Sequence, residues 1–408
     1  MASLSSNIFQ KKYGKNYHLI INYLSEYDII SVNKQYSDGK SRKYKFVNNF
    51  LINDVVDIEI NLDSSFGKYV KKRHNEESKL AKGKPLYIRN LRKHFYDLKY
   101  DSQKAIEELN LYKNKLNNEQ YLAIHNDILC FNFSNLKYFK RNKTNSRIDT
   151  NLTSLKSYFK KFIISDVPLF QLDLKNSQPV LFNIFLNKIE ELIYNNNLNT
   201  KDYNSTLYYK NNYIKSFTSL IYKEIQKDSK WGENLKKDIP IYRKYTSEGK
   251  WYEHLSDVYN EHYSTDIFNR NLTKSLWMAL AYSTNYSKKY NECKKAFENK
   301  FKGIAKLFRK MKQKEYNQLA IYLQQIEAEI FIDNIAKKLT ENQIMPLTIH
   351  DCIIIKETEV EMTKNIMNEI LNEHLGFTHI IDVEALNELE FMDKYNAEDV
   401  AKFIADLK

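Results

Sequence analysis

The sequence predicts an α+β protein that is predominantly helical, and three observations lead to this fold class. The chain has 408 residues but just 8 Gly and 5 Pro, so few residues interrupt long helices. Apolar residues recur at three- and four-residue spacing, which predicts helices at residues 101–117, 272–308 and 315–339. Short runs rich in β-branched residues predict a few strands, so we expect one small antiparallel sheet backed by helices.

The predicted strands lie at residues 170–174, 347–349, 353–356 and 379–383, with a helix at 359–374 before the last. The second and third strands flank a tight corner at His350, Asp351 and Cys352. They therefore form a hairpin, and the strand at 170–174 is available to join the same sheet.

The length and charge of the chain bound its organisation and its partners. A chain of 408 residues exceeds the usual size of a single core, so two or three structural units are expected. Lys and Arg outnumber Asp and Glu by 63 to 51, and this net charge of +12 favours a polyanionic partner such as nucleic acid. An AT-rich coding sequence would also enrich Lys, Asn, Ile and Tyr, so the charge has a second explanation.

A basic stretch at residues 68–93 is interleaved with Tyr69 and Tyr87 and followed by Phe95 and Tyr96. Cationic and aromatic groups together suit a surface that follows a nucleic-acid backbone and stacks on its bases. A solvated charged face is the alternative.

Composition argues against several classes of protein. Cys130, Cys293 and Cys352 are too far apart to indicate a zinc site or a disulfide framework. Residues 1–11 lack a long apolar core, and no stretch approaches the ~20 apolar residues that span a bilayer. We therefore expect a soluble cytoplasmic protein.

Two aspartates occupy positions where predicted strands end. Asp173 follows the apolar run 167–172, and Asp351 lies at the corner of the hairpin. Nucleotidyl transfer uses two divalent cations ~4 Å apart, and carboxylates from different strands can hold them. Aspartate is also a common turn residue, so each position alone has two interpretations.

A predicted helix between Asp173 and Asp351 carries four residues at four-residue spacing, which therefore project along one face: Arg270, Lys274, Met278 and Tyr282. Two cations on one face suit a triphosphate, and an aromatic ring further along suits a base or sugar. The structural alternative is a solvated basic stripe with Met278 and Tyr282 in the core.

These segments resemble three motifs of the superfamily that contains family A DNA polymerases and the phage-type and mitochondrial single-subunit RNA polymerases. The segment at Asp173 is similar to motif A, the helix with Arg270, Lys274 and Tyr282 to motif B, and the hairpin at Asp351 to motif C. The motifs occur in the family's order. The resemblance implies a right-hand polymerase with a small antiparallel palm sheet, helical fingers and a helical N-terminal region.

The resemblance also implies domain boundaries. Residues 1–145 would form a thumb-like or template-binding region, 146–195 the first palm segment with motif A, 196–312 the fingers with motif B, and 313–408 the second palm segment with motif C.

Carried over by position, Asp173, Asp351 and the backbone carbonyl of Leu174 would bind two Mg²⁺, with Mn²⁺ as a substitute. Arg270 and Lys274 would bind the triphosphate, and Lys274 would donate a proton to the leaving pyrophosphate. Met278, Tyr282 and Gln178 would complete the nucleotide site.

The resemblance further implies contacts with nucleic acid from Arg147, Gln324 and His350, with Gln324 chosen over Gln325 on spacing. The implied partners are a DNA or RNA template with its primer, and nucleoside triphosphates. Because the chain is short, template recognition would be simple or would depend on a protein partner.

Several positions depart from the family's pattern. Ser283 stands where the family has Gly, and Cys352 stands where DNA polymerases have Glu and RNA polymerases have Ser. Gln178 occupies the position of the residue that excludes a ribose 2′-hydroxyl in DNA polymerases, whereas Met278 and its neighbours match the RNA polymerases. We expect RNA synthesis on DNA; a DNA polymerase of a phage, mobile element or defence system is the alternative.

Two other classes remain open. A His-Asp pair also occurs in metal-dependent phosphohydrolases, although they place it on a helix and need further ligands. A basic nucleic-acid-binding protein with a decayed polymerase core is the non-enzymatic alternative.

Overall fold

The structure is a computed structural model that describes residues 83–133, 136–194 and 212–391, with shorter segments at 2–4, 9–10, 13–32, 42–46, 63–64 and 68. The chain divides into two compact units, Met1–Arg89 and Asn90–Lys408. Within the described residues, no helix is long and apolar enough to cross a membrane.

The predicted basic surface at 68–93 falls largely outside the described residues, since 69–82 are not among them. Phe95 is 2% exposed and packs in the core of the second unit. The expectation that this ring stacks on bases is therefore wrong.

The first unit contains a small antiparallel sheet beside one described helix. Strands Ala2–Leu4 (β1), Ile30–Val32 (β2) and Arg42–Phe46 (β3) pair in the order β1-β3-β2, and the helix is Tyr17–Glu26 (α1). The ring centroid of Phe9 lies 5.5 Å from that of Tyr17 and 5.1 Å from that of Tyr44, so aromatic packing joins helix and sheet.

The rest of the described chain is mainly helical, as the scarcity of Gly and Pro predicts. Its α-helices are Leu86–Asp97 (α2), Ser102–Leu111 (α3), Asn118–Leu129 (α4), Asn151–Ser154 (α5), Ser177–Tyr194 (α6), Asn212–Lys227 (α7), Ser229–Ser247 (α8), Trp251–Tyr263 (α9), Arg270–Tyr282 (α10), Asn291–Lys300 (α11), Lys302–Met311 (α12), Gln318–Ala328 (α13), Lys337–Glu341 (α14) and Val360–Leu375 (α15). A π-helical segment, Glu329–Ala336, joins α13 to α14.

Short strands complete the second unit. They are Lys99–Tyr100 (β4), Phe139–Arg141 (β5), Ile148–Thr150 (β6), Ile163–Ile164 (β7), Leu169–Leu174 (β8), Leu347–Ile349 (β9), Cys352–Lys356 (β10) and Ile381–Ala385 (β11). β4 pairs with β7 and β5 with β6, while β8 to β11 form one antiparallel sheet in the order β11-β8-β10-β9. The predicted small sheet and its hairpin are confirmed.

The last strand begins two residues later than predicted. Helix α15 ends at Leu375 and is capped by Gly376, whose φ of 73° lies in the left-handed region that glycine adopts without strain. The following residues carry the chain to the sheet, where the Lys175 amide donates to the Ile380 carbonyl at 3.0 Å. Pairing with β8 therefore starts at Ile381.

Two apolar layers cover the sheet, one on each face. Ile353 and Ile355 pack in the larger layer with Leu172 and Leu174, whereas Cys352 and Ile354 pack in the second layer. Successive residues of a strand point to opposite faces, so Asp173 lies on the face of the second layer.

The long helix predicted at 272–308 is divided into α10, α11 and α12. Helix α10 ends where Ser283 turns to extended backbone. The buried Lys312 ammonium donates to the carbonyls of Leu280 at 2.7 Å and Ser283 at 3.1 Å, which satisfies the open end of the helix. This contact comes from a distant lysine, so local spacing could not reveal it.

Gly303 allows α12 to pack directly on the backbone of α8. A Cβ at this position would lie 2.6 Å from the Leu235 nitrogen and 2.8 Å from the Asn234 carbonyl carbon. We expect Gly303→Ala to lower the free energy of unfolding by about 1–3 kcal/mol, because backbone atoms cannot yield as a side chain does. Urea denaturation followed by tryptophan fluorescence measures this.

Gly232→Ala is the matched control in the same unit. Its Cβ would meet the side-chain methyl of Ile225 at 3.2 Å, which can shift, and alanine favours the helix. An equal loss in both variants would contradict the close backbone packing.

Candidate active site

Asp173 and Asp351 are brought side by side by the pairing of β8 with β10. Asp173 lies opposite Cys352, and Asp351 directly precedes Cys352 in the turn. Burial raises the pKa of Asp173 well above its usual range, and the charge of Asp351 raises it further. Two half-buried carboxylates that repel each other favour the binding of a cation.

The turn before Asp351 is conformationally unusual. His350 has a φ of 58°, in the left-handed region that non-glycine residues seldom adopt. Among the described residues, its buried Nδ1 atom has no hydrogen-bond partner. Burial lowers the pKa of His350, and the Arg147 charge lowers it further, so both favour the neutral ring.

Two residues beside the aspartates were not identified from the sequence. Asp382, on β11, pairs with Asp173 across the sheet and is exposed. Lys160, from the 3₁₀-helix Ser157–Phe162, is 7% exposed, and its charge lowers the pKa of both Asp173 and Cys352. A lone Asp in a strand and one of two adjacent lysines carry no local signal of this placement.

The donor set suits Mg²⁺ bound together with a substrate. Across the described residues, no group of three or more His, Cys, Asp and Glu side chains is arranged to hold a metal ion. Mg²⁺ commonly takes one or two protein carboxylates and completes its shell with phosphate oxygens and water. Asp173 and Asp351 fit that role, and Leu174 follows Asp173 at the end of β8.

Most of the predicted polar face of helix α10 lies outside the core, whereas Tyr282 on that face is half-buried and packs against the core. The Asn269 side chain caps the helix by accepting from the Leu272 amide at 3.0 Å. Lys274 and Met278 are exposed, with Met278 at 37%, so Met278 does not belong to the core. The Lys274 charge lowers the pKa of Asp173, which indicates that this face is directed toward the aspartates.

Arg270 begins the same face and interacts with helix α9. Its Nε atom lies 3.0 Å from a Glu253 carboxylate oxygen, and its guanidinium lies 5.8 Å from the Tyr252 ring centroid. Burial raises the pKa of Tyr252, with further contributions from Tyr282, Asp351 and Asp173. Tyr252 is thus a buried neighbour of the aspartates that the sequence did not reveal.

A partly buried chain of hydrogen bonds joins four side chains from separate elements. The Tyr282 hydroxyl donates to Gln178 Oε1 at 2.9 Å, and Gln178 Nε2 donates to Glu327 Oε2. Arg147 Nη2 donates to the same Glu327 oxygen at 2.6 Å. The chain connects α10, α6, α13 and the β5–β6 hairpin, and Glu327 was not singled out from the sequence.

Glu327 is 0% exposed, and its environment opposes ionisation. Burial raises its pKa to about 8, with a contribution from Asp351, although Arg147 and Gln178 act in the opposite direction. Its Oε1 atom is buried without a hydrogen-bond partner among the described residues.

The predicted Gln324 and its neighbour Gln325, both on α13, contact the β5–β6 turn. Asn145 Nδ2 donates to Gln324 Oε1 at 3.0 Å, and Gln325 Nε2 donates to the Thr144 carbonyl at 2.8 Å. Both glutamines therefore help to hold the turn that carries Arg147. The contact of Gln324 with a nucleic-acid duplex stays a prediction.

Comparison with known proteins gives a weak structural similarity. No family model matches the chain, and no curated protein matches it. It is similar to the polymerase domain of Pol1 from M. smegmatis, solved in complex with DNA primer-template and dNTP, at a TM-score of 0.37 and 12% identity. The match covers 73% of this chain and 65% of that one. Similarity at this level shows neither a family nor an activity.

The ionisation of Glu327 gives a measurable pH dependence. Between about pH 4.5 and about pH 8, the folded chain holds a proton that the unfolded chain has released, so this group makes the fold less stable as pH rises. We expect wild type to lose on the order of 3–5 kcal/mol relative to Glu327→Gln over this interval. Urea denaturation at both ends of the interval measures the difference.

Glu341→Gln, at an exposed carboxylate on α14, is the control, and its difference from wild type should stay constant with pH. Parallel curves for wild type and Glu327→Gln would show that Glu327 ionises normally.

Proposed function

We propose that the chain is a template-directed nucleotidyltransferase that adds nucleotides to a 3′-hydroxyl. One observation carries this proposal: Asp173 and Asp351 adjoin on paired strands, and the cationic face of α10 acts on Asp173. This arrangement suits a nucleoside triphosphate: its phosphates can bind cations held by the carboxylates on one side and the basic side chains of α10 on the other.

Each residue then has a role that its surroundings support. Asp173 and Asp351, with the Leu174 carbonyl, would hold two Mg²⁺, which supply activation of the attacking oxygen and stabilisation of the leaving one. Lys274 is exposed and can contact the triphosphate and protonate pyrophosphate. Tyr282 would lie at the sugar and templating base, with Met278 beside the nucleotide.

Arg270 is available to a triphosphate despite its ion pair. The side chains of Arg270 and Glu253 are 40% and 44% exposed, and such pairs contribute little. A polyphosphate offers more charge and bidentate contacts, so it can displace Glu253.

Two features support nucleic acid as the partner: the net charge of the chain and the β5–β6 hairpin that carries Arg147. The net charge of +12 favours binding to a template and primer. Asn145 links Gln324 to the turn that carries Arg147, and the Arg147 charge acts on His350. These three residues would contact the duplex, with a protein partner aiding template recognition. Arg147 is also engaged by Glu327.

The sugar specificity rests on two opposed indications. The sequence around Met278 favours RNA synthesis on DNA, whereas the bulk of Gln178 favours deoxynucleotides, as in a family A-like DNA polymerase. The hydrogen bond between Gln178 and Tyr282 adds weight to the second.

The phosphohydrolase alternative has less support. His350 and Asp351 lie in a strand-connecting turn, not on a helix, and the described residues supply no further cluster of ligands. Hydrolysis of nucleotides without primer extension would favour it, and magnesium-independent nucleic-acid binding without incorporation would favour the non-catalytic alternative.

Asp351→Ala tests the proposed chemistry. We expect extension of a labelled primer to fall by on the order of 10³-fold or more, because a cation ligand is lost. Binding to primer-template should persist, since removing a carboxylate reduces repulsion of phosphates. Extension is followed on gels, and binding by fluorescence anisotropy.

Glu384→Gln, at an exposed carboxylate of the same sheet, is the control and should extend normally. Extension retained in Asp351→Ala would rule out the assignment.

Gln178→Gly tests the role of Gln178 at the sugar. We expect the preference between deoxyribo- and ribonucleoside triphosphates to shrink by about tenfold or more, because the side chain that limits space at the 2′ position is removed. The ratio of kcat/KM for the two substrate sets measures it. An unchanged ratio would remove Gln178 from the sugar site.

A further inference from the structure

Glu327 is a charged residue type in a fully buried position, and its contacts are directed to one oxygen. Oε2 accepts from Arg147 Nη2 at 2.6 Å and from Gln178 Nε2, while Oε1 is buried without a partner in the described part of the chain. Burying a carboxylate costs free energy unless the group is paired and hydrogen-bonded. Here the hydrogen bond from Gln178 also fixes the orientation of the Gln178 amide.

The amide of Gln178 has two ends with opposite requirements. A carboxylate oxygen facing Nε2 must accept, and the Tyr282 hydroxyl donates to Oε1 at 2.9 Å. One orientation of the amide satisfies both neighbours, whereas the flipped amide would set its oxygen against the carboxylate. Glu327 Oε2 accepts whether or not the carboxyl group carries a proton on Oε1, so this orientation does not depend on titration.

The hydrogen bond between Tyr282 and Gln178 joins two residues that belong to the same candidate site as the aspartates. Gln178 is five residues after Asp173, and Tyr282 ends the helix whose Lys274 acts on Asp173. The charge of Asp351 also acts on Tyr282, raising its pKa. If Tyr282 lies at the sugar, as proposed above, its hydrogen bond to Gln178 places the Gln178 side chain beside that sugar as well.

We propose that Glu327 is a positioning residue that locks Gln178 onto Tyr282, so that the site excludes a 2′-hydroxyl and takes deoxynucleoside triphosphates. The locked Gln178 side chain cannot swing aside, so its bulk stays in the space that a 2′-hydroxyl would need. The inference rests on the proposed function, and it names the substrate class of that site.

The same contact explains why Gln stands at position 178. A glutamate there would be a second carboxylate against Glu327, and it could not donate a hydrogen bond. Glutamine keeps the acceptor for Tyr282 and adds the donor that Glu327 requires. The two positions should therefore depend on each other.

The first experiment compares kcat/KM for deoxyribo- and ribonucleoside triphosphates in primer extension. We expect wild type to prefer deoxynucleotides and Glu327→Ala to reduce the preference by about tenfold, while Glu327→Gln, which keeps an acceptor, reduces it less. Asp333→Asn is the matched control. It breaks the Arg141–Asp333 ion pair, which also joins the β5–β6 hairpin to this helical region but does not touch Gln178, so the ratio should hold.

The outcomes separate the two proposals. Incorporation of neither substrate by wild type would refute the proposed function and this inference with it. Incorporation without a deoxynucleotide preference, or a ratio unchanged in Glu327→Ala, would overturn the inference and leave the proposed function standing.

The second experiment exchanges the two side chains. Gln178→Glu alone should lose extension and thermal stability at about pH 9, where two adjacent carboxylates are both driven to ionise. Adding Glu327→Gln should restore both to within a few fold of wild type, because an amide at 327 can donate to the carboxylate at 178. Equal behaviour of the single and double variants would show that the positions are independent and would overturn the inference.

Discussion

The register between β8 and β10 is the constraint on which the rest of the site depends. Asp173 pairs with Cys352, so Asp351 follows at the adjoining turn. Because side chains alternate between the faces of a strand, a slip of one residue would direct Asp173 into the larger apolar layer. Residues of β10 are buried on both faces, so each layer resists that slip. The position of the two carboxylates thus derives from apolar packing of the whole sheet.

The charges around the carboxylates come from separate parts of the fold. Lys160 reaches them from a short 3₁₀-helix before β7, and Lys274 from α10, and both lower the pKa of Asp173. They do not cancel the effect of burial and of Asp351, since the pKa stays raised. The site is therefore short of positive charge, which is the condition under which divalent cations bind. Lys312 contributes at a distance by holding the end of α10.

The sequence predicted those features that depend on local period and spacing. The strands, the hairpin at Asp351 and the polar face of α10 follow from patterns that a few neighbouring residues determine. It did not predict the break after Tyr282 or the buried role of Glu327, because each depends on a partner far along the chain. The Arg147–Glu327 pair joins residues separated by 180 positions, and no spacing rule reaches that far. Lys160 and Tyr252 were missed for the same reason.

The features that oppose stability in the second unit gather around one place. Four of them lie on adjoining elements: the left-handed His350, the partly compensated pair of aspartates, the fully buried Glu327 and the π-helical segment that starts two residues after it. π-Helical turns and strained non-glycine residues are uncommon and concentrate at functional sites. Selection for stability alone would replace Glu327 with an apolar residue, since buried ion pairs are often no better than apolar packing. Its presence beside Gln178 and Tyr282 is better explained by control of what those two side chains admit than by support of the fold.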